Sequence, residues 1–312
     1  MSKLKCAVIG TGYLGKFHAD KYAALPECEL IAIVDTHAKA AEAVAAKHGC
    51  QALSDYRDLL GKVDAVSIAV PTSLHFAIAR DFLQAGRHVL VEKPITTTVA
   101  EADELIRLAH EQQRVLMVGH LERFNPAILA LEGVLNAPRF IESTRLAPFK
   151  PRATDVSVVL DLMIHDIDII LDMVDSEIVG IEASGAAVLT NDTDIANARL
   201  TFANGCVANV TASRISLKSE RKMRLFQKDA YLSMDFQNRI LSSYQRGEGE
   251  MFPGVPNFIP NEQSFESSDA LLEEIRHFAD CCIHGKTPRV SGEAGRRALA
   301  AAEAISAKLK TV

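Results

Sequence analysis

Residues 5–15 read KCAVIGTGYLG: a short apolar run stops at Gly10 and meets Gly12 and Gly15 in the spacing GxGxxG, where an amphipathic stretch from Tyr13 to Leu25 begins. If a strand passes here directly into a helix, each glycine has its own task. The first permits the tight turn, the second lets an anionic group approach the backbone, and the third lets helix and strand pack closely. The helix N-terminus would then turn N–H groups toward a diphosphate. The spacing alone is common, and a turn without a ligand also satisfies it. A second strand-like run, LIAIVD, ends at Asp35, about 20 residues beyond the glycines, where a carboxylate can accept both ribose hydroxyls of an adenosine. The same carboxylate can cap a helix from Thr36. It also repels a 2′-phosphate, and no arginine follows it, so the turn reads as a site for NAD, with NADP second because of His37.

Outward from this turn, apolar β-branched runs at 5–9, 30–34, 65–70, 88–91 and 115–118 alternate with helix-like stretches. That order predicts an α/β Rossmann domain, a doubly wound parallel sheet with crossover helices. Gly49 follows the Ala-rich stretch 38–48, Gly86 follows 74–85, and Thr98 with Glu101 forms a capping box opening a helix to about Gln113. After Gly119 the pattern changes to a helix near Pro126, a long one over 154–174, and consecutive strand-like runs through 246. TDIANARLTF and CVANVTAS flank Ala203-Asn204-Gly205 and read as an antiparallel hairpin on a type I′ turn. Residues 247–263, with three prolines and three glycines, read as an irregular connection able to cover a site, and helices follow at 269–284 and 292–310. The expected division is a cofactor domain over 1–121 and an α+β domain with an open antiparallel sheet over 122–312, its last helices packing back on the first domain.

Composition narrows the function classes. The 312 residues are 48% hydrophobic and 24% charged with a net charge of −6, and no Lys/Arg cluster suits a nucleic-acid backbone. No signal-like segment or membrane-length apolar run is present. Six cysteines without CxxC or zinc spacing read as reduced thiols of a cytoplasmic protein, and no metal site is expected.

The reacting group is sought beyond the carboxyl ends of the strands, where open α/β sheets bind ligands. In AGRHVLVEKPI the strand 88–91 ends in Glu92-Lys93-Pro94, which places Lys93 on that side, with Pro94 either cis or trans. In VVLDLMIHDIDIILDMV, residues 158–174, Asp161 and His165 are four apart and share a helix face, as do Asp168 and Asp172. A polar stripe on so apolar a helix needs solvent, a site or buried partners.

Taken in order, GTGYLGKFHA, PTSLH at 71–75, AGRHVLVEKP at 85–94, GHLERFNPA at 119–127, DLMIHDID at 161–168 and PRVSGEAGRRAL at 288–299 resemble the Gfo/Idh/MocA family of NAD(P)-dependent sugar oxidoreductases over nearly the whole chain. The resemblance implies that Lys93, Asp161 and His165 are the catalytic set. It implies cofactor contacts from Gly10, Thr11, Gly12, Tyr13, Leu14, Gly15, Asp35, Pro71, Thr72, His75, Glu92, Lys93 and His120, and a homodimer or homotetramer. Val158-Val159 stand where many relatives carry glycines. Oxidising a secondary alcohol needs a base for the hydroxyl proton. His165 suits that task, with Lys93 stabilising the developing alkoxide and Asp161 orienting the pair, although a lysine of depressed pKa is also a competent base.

For the substrate, the segments around Arg123, Lys150, Arg152 and Arg214 resemble the branch that oxidises the 3-hydroxyl of UDP-N-acetylglucosamine in lipid A biosynthesis. Arg145, Lys150, Arg152, Arg214, Lys218 and Arg221 would supply charge for a diphosphate, and solvated surface explains such residues equally well. Substrate contacts are therefore expected from Lys93, Arg123, Lys150, Arg152, Asp161, His165 and Arg214. A free polyol such as myo-inositol, an NAD-dependent glycosidase and a non-catalytic sensor stand as alternatives.

Overall fold

The computed structural model describes residues 3–150, 156–266 and 268–311. The chain divides into two compact units, residues 1–124 with 269–299, and residues 125–268 with 300–312. In the first, strands β1 (Leu4–Ile9), β2 (Cys28–Val34), β3 (Gln51–Leu53), β4 (Ala65–Ile68), β5 (His88–Glu92) and β6 (Leu116–Gly119) alternate with helices α1 (Tyr13–Ala24), α2 (Ala38–His48), α3 (His75–Gln84) and α4 (Val99–Gln112). The strands form one parallel sheet in the order β3-β2-β1-β4-β5-β6. Strand order therefore reverses between β1 and β4, the place where doubly wound sheets leave a crevice for a ligand.

The continuous apolar runs of the sequence are the sheet's interior: Val8, Ile33, Val66, Leu90 and Met117 are fully buried. Gly49 closes α2 in the left-handed region at φ 65°, and the Thr98–Glu101 capping box opens α4 with both of its hydrogen bonds. Strand β3 has no counterpart among the predicted runs, because Gln-Ala-Leu is too short and too mixed to announce a strand.

The second unit holds α5 (Pro126–Leu129), β7 (Phe140–Leu146), a π-helical turn at Val159–Met163 leading into α6 (Ile164–Met173), then β8 (Ile178–Ala186), β9 (Ile195–Phe202), β10 (Val207–Ser213), β11 (Glu220–Gln227), β12 (Ala230–Asp235), β13 (Ile240–Phe252) and β14 (Val255–Ser264). Helices α7 (Ala270–His284) and α8 (Gly292–Lys308) follow, and β15 (Lys310–Thr311) ends the chain. The nine strands run in the order β14-β13-β12-β11-β7-β10-β9-β8-β15. Alternation sets one buried face, including Ile141, Ala198, Leu200, Val210, Leu225 and Met234, and α6 packs on β7 and β10.

Several expectations change here. The sheet is mixed, since β7 pairs β10 in parallel and β15 pairs β8 in parallel. The β9–β10 hairpin forms, but only Gly205 has positive φ, at 85°, so its turn is not type I′. The loop closes through Gly205 N to Phe202 O at 2.9 Å, with Asn204 Oδ1 accepting from Cys206 N at 3.0 Å, the pattern of a longer loop ending in a left-handed glycine. Residues 247–263 are not irregular: they lie mostly in the β13–β14 hairpin, whose register shifts between Arg246 and Phe252. Pro256 and Pro260 are tolerated because β14 is an edge strand, where a missing N–H breaks no ladder. The long helix over 154–174 resolves into the π turn and α6, and residues 151–155 lie outside the described ones.

Candidate active site

In the first unit the predicted cofactor residues sit at the carboxyl ends of the parallel strands: Gly10–Gly15 after β1, Asp35 after β2, Pro71–His75 after β4, Glu92–Lys93 at the end of β5, and His120 after β6. The glycines divide their labour as the turn requires. Gly10 has φ 95°, and a Cβ there would meet Ala69 O at 2.5 Å. A Cβ on Gly15 would lie 1.9 Å from Gly10 O, whereas one on Gly12 meets nothing within 4 Å. Close packing fixes the first and third glycines, and open space lies before the second. Gly12 is the N-cap of α1 and supplies no side-chain cap, so the N–H groups of that first turn are directed at the open space. Tyr13, 73% exposed, stacks edge-on against Phe17 beside it, and Leu14 is half-buried.

Asp35 is held by its neighbours: Oδ2 accepts from Thr11 N at 2.7 Å and Thr11 Oγ1 at 2.6 Å, and Oδ1 accepts from His37 N at 2.8 Å. Partial burial works to raise its pKa, but the Thr11 hydroxyl and the His37 and Thr11 N–H groups outweigh it and hold the carboxyl below its usual range. A fixed carboxylate one strand away from an open helix N-terminus fits the adenosine ribose and diphosphate of a dinucleotide.

The other members divide. Pro71 and Thr72 open a 3₁₀ turn, Pro71 exposed and Thr72 half-buried. His75 is buried, its Nδ1 2.8 Å from Pro94 O and its Nε2 2.9 Å from Val70 O, so its ring bridges the ends of β4 and β5. Burial lowers its pKa more than those carbonyls raise it. Lys93 is half-buried and precedes a cis peptide to Pro94. His120 is buried, and desolvation, then the charges of Lys93 and Arg123, bring it down to about 3. Glu92, expected at the cofactor, turns its carboxylate inward, with Oε1 2.9 Å from His18 Nε2. Arg123 is buried and donates to Arg289 O at 3.1 Å, an interior task that a substrate contact would have to share.

In the second unit the π turn carries Asp161, and His165 follows on the first turn of α6; both are half-buried. A π turn widens the helix locally and is frequent at functional sites. The expected Asp168–Asp172 stripe separates: Asp168 is buried and Asp172 exposed. The basic residues proposed for a diphosphate also separate. Arg145 is buried and bidentate to buried Asp166 at 2.7 and 3.2 Å, a pair the sequence reading missed. Arg214 is buried, donates to Thr193 O at 3.1 Å and to Val156 O, and lies 3.5 Å from Asp194. Both guanidinium groups are engaged inside the unit. Lys150, Lys218 and Arg221 are exposed, and Arg152 lies outside the described residues.

Comparison with known proteins agrees in extent with this architecture. Residues 4–120 match the oxidoreductase family with an NAD-binding Rossmann fold, and residues 129–233 match the GFO/IDH/MocA C-terminal domain. The chain is 45% identical over 303 residues to UDP-N-acetylglucosamine 3-dehydrogenase of Acidithiobacillus ferrooxidans, covering 97% of this chain and 96% of the relative. A solved structure of that enzyme superposes with a TM-score of 0.93 at 44% identity, over 99% of this chain and 98% of the other. Inositol 2-dehydrogenase of Rhizobium meliloti is 25% identical over 96% of this chain and 95% of its own. Levoglucosan dehydrogenase in complex with NADH shares the fold, with a TM-score of 0.88 at 20% identity over 98% of this chain and 97% of its own. Among the described residues no helix is long and apolar enough to cross a membrane.

Proposed function

Starting from the chain's membership of the Gfo/Idh/MocA oxidoreductase family, we propose that it oxidises the 3-hydroxyl of UDP-N-acetylglucosamine with NAD, giving a 3-keto nucleotide sugar. The observation that carries this is the 45% identity to a UDP-N-acetylglucosamine 3-dehydrogenase across 97% of this chain and 96% of that enzyme. Support for NAD is the geometry at Asp35, a carboxylate fixed by Thr11 and His37 at the end of β2 where a 2′-phosphate would meet negative charge.

Bound NAD supplies the hydride acceptor. The protein's part is proton and charge management at the alcohol. His165 takes the hydroxyl proton on its imidazole, which titrates near neutrality when unperturbed. Lys93 donates a hydrogen bond to the same oxygen as negative charge builds on it, and Asp161 orients the sugar or the base. Of the basic residues considered for the diphosphate, Lys150, Lys218 and Arg221 are exposed, and Lys218 and Arg221 line one recess of about 130 Å³ with Lys222. A homo-oligomer is part of the same proposal.

The test is turnover, followed as NADH or NADPH absorbance, on UDP-N-acetylglucosamine, other UDP-sugars and inositols. UDP-N-acetylglucosamine with NAD is expected to exceed every other pairing in kcat/KM by at least about tenfold, roughly 1.4 kcal/mol of transition-state discrimination. Preference for an inositol, or for NADP, contradicts the corresponding half of the proposal.

A further inference from the structure

Glu274 on α7 is fully buried, and among the described residues neither carboxylate oxygen has a hydrogen-bond partner. It faces His18 of α1 and Glu92 of β5: one ligand-type atom from each lies within 4.8 Å of the others. All three belong to the first unit. His18 is fully buried and bonds Glu92 directly. Backbone also closes on Glu92, since Gly119 is its register partner on β6 and a Cβ there would lie 3.1 Å from Glu92 Cδ and from both carboxylate oxygens. Beyond Lys93, the carbonyl of Pro94 lies 2.8 Å from the ring of buried His75 on α3. Side chains from α1, α3 and α7 thus converge on the three residues Glu92-Lys93-Pro94.

Burying titratable groups opposes folding, and a strand end that needs only packing has no use for them. We propose that His18 and Glu274 are positioning residues for Lys93: His18 bonds Glu92 from α1, and Glu274 closes on the same pair from α7. Burial, and then the nearby Glu92 charge, push the Glu274 carboxyl well above its usual range. The same three residues have the chemistry of a divalent-cation site, but a cation would require Glu274 ionised. The proposal rests on Lys93 being the group that touches the reacting oxygen.

The experiment compares wild type with E274Q, E274A and H18N. Readouts are kcat and KM on the proposed substrate, NAD affinity, metal content by mass spectrometry of the purified protein, and the rate of Lys93 acetylation relative to exposed Lys62. E274A and H18N are expected to lower kcat about tenfold or more with KM and NAD affinity within about threefold, and E274Q, which keeps a neutral polar group of the same shape, to restore kcat to within about twofold. Acetylation of Lys93 should shift about threefold or more in E274A and H18N and remain unchanged in E274Q. Wild-type kcat and Lys93 reactivity in E274A and H18N overturn the proposal, as does E274Q failing like E274A, or one equivalent of bound metal. Where E274A does not accumulate folded, H18N and E274Q carry the comparison. If the wild type does not turn over the nucleotide sugar, the substrate assignment fails on that result, and Lys93 reactivity still decides the role of His18 and Glu274.

Discussion

Lys93→Met is expected to lower kcat about a thousandfold, equivalent to about 4 kcal/mol of lost transition-state stabilisation, with NAD affinity staying within about threefold. Lys93 follows β5 on the side of the sheet where the glycine turn and Asp35 lie. Its ammonium is close enough to His120 to help depress that imidazole, after burial, to about 3, which leaves Lys93 beside an uncharged neighbour rather than a cation. Methionine keeps the length and apolar stem of lysine and removes the charge and the donor, so a loss confined to kcat isolates the interaction with the developing alkoxide. Steady-state kinetics beside a fluorescence titration with NADH separate the two quantities. A variant with wild-type kcat would remove Lys93 from the chemistry, and one that loses NAD affinity in proportion would make it a cofactor ligand only.

Gly15→Val is expected to abolish cofactor binding, weakening it at least about a hundredfold, because its Cβ would lie 1.9 Å from Gly10 O. Backbone cannot yield that far without opening the turn between β1 and α1, so thermal stability falls with affinity. Gly12→Ala is the control. Its backbone, at φ −61°, accepts any residue, and the added methyl meets no protein atom within 4 Å. Melting temperature should therefore stay within about 2 °C while NAD binding weakens about tenfold or more, since only a ligand approaching the backbone would meet the methyl. Calorimetric titration with NAD and a thermal melt check both. Unchanged affinity in Gly12→Ala would mean that no phosphate approaches this turn.

The legible parts of the sequence share a cause. Buried parallel strands read as continuous apolar runs, and the glycine spacing and capping box are local, so the first sheet and its turn stand in the sequence. Features set by distant partners do not. Glu274 is an unremarkable glutamate on an amphipathic helix until β5 and α1 bring Glu92 and His18 beside it. Arg145 and Asp166 look like a substrate group and a helix acid until the register of β7 and the packing of α6 join them. The proline-rich stretch at 247–263 reads as loop because nothing local reveals that β14 lies at a sheet edge. For the same reason the turn at Gly12 and the strand end at Asp35 are legible in the sequence, and the interior engagement of Arg214 and Glu92 is not.

Hydride transfer from C3 of UDP-N-acetylglucosamine, as proposed, leaves an isotopic record. UDP-N-acetylglucosamine deuterated at C3, incubated with the purified protein and NAD, is expected to yield NADH carrying deuterium at C4 of the nicotinamide ring, and the C4-deuterated sugar to yield unlabelled NADH. Deuterium retained on C3 while NADH forms, or label arriving from another carbon, contradicts it.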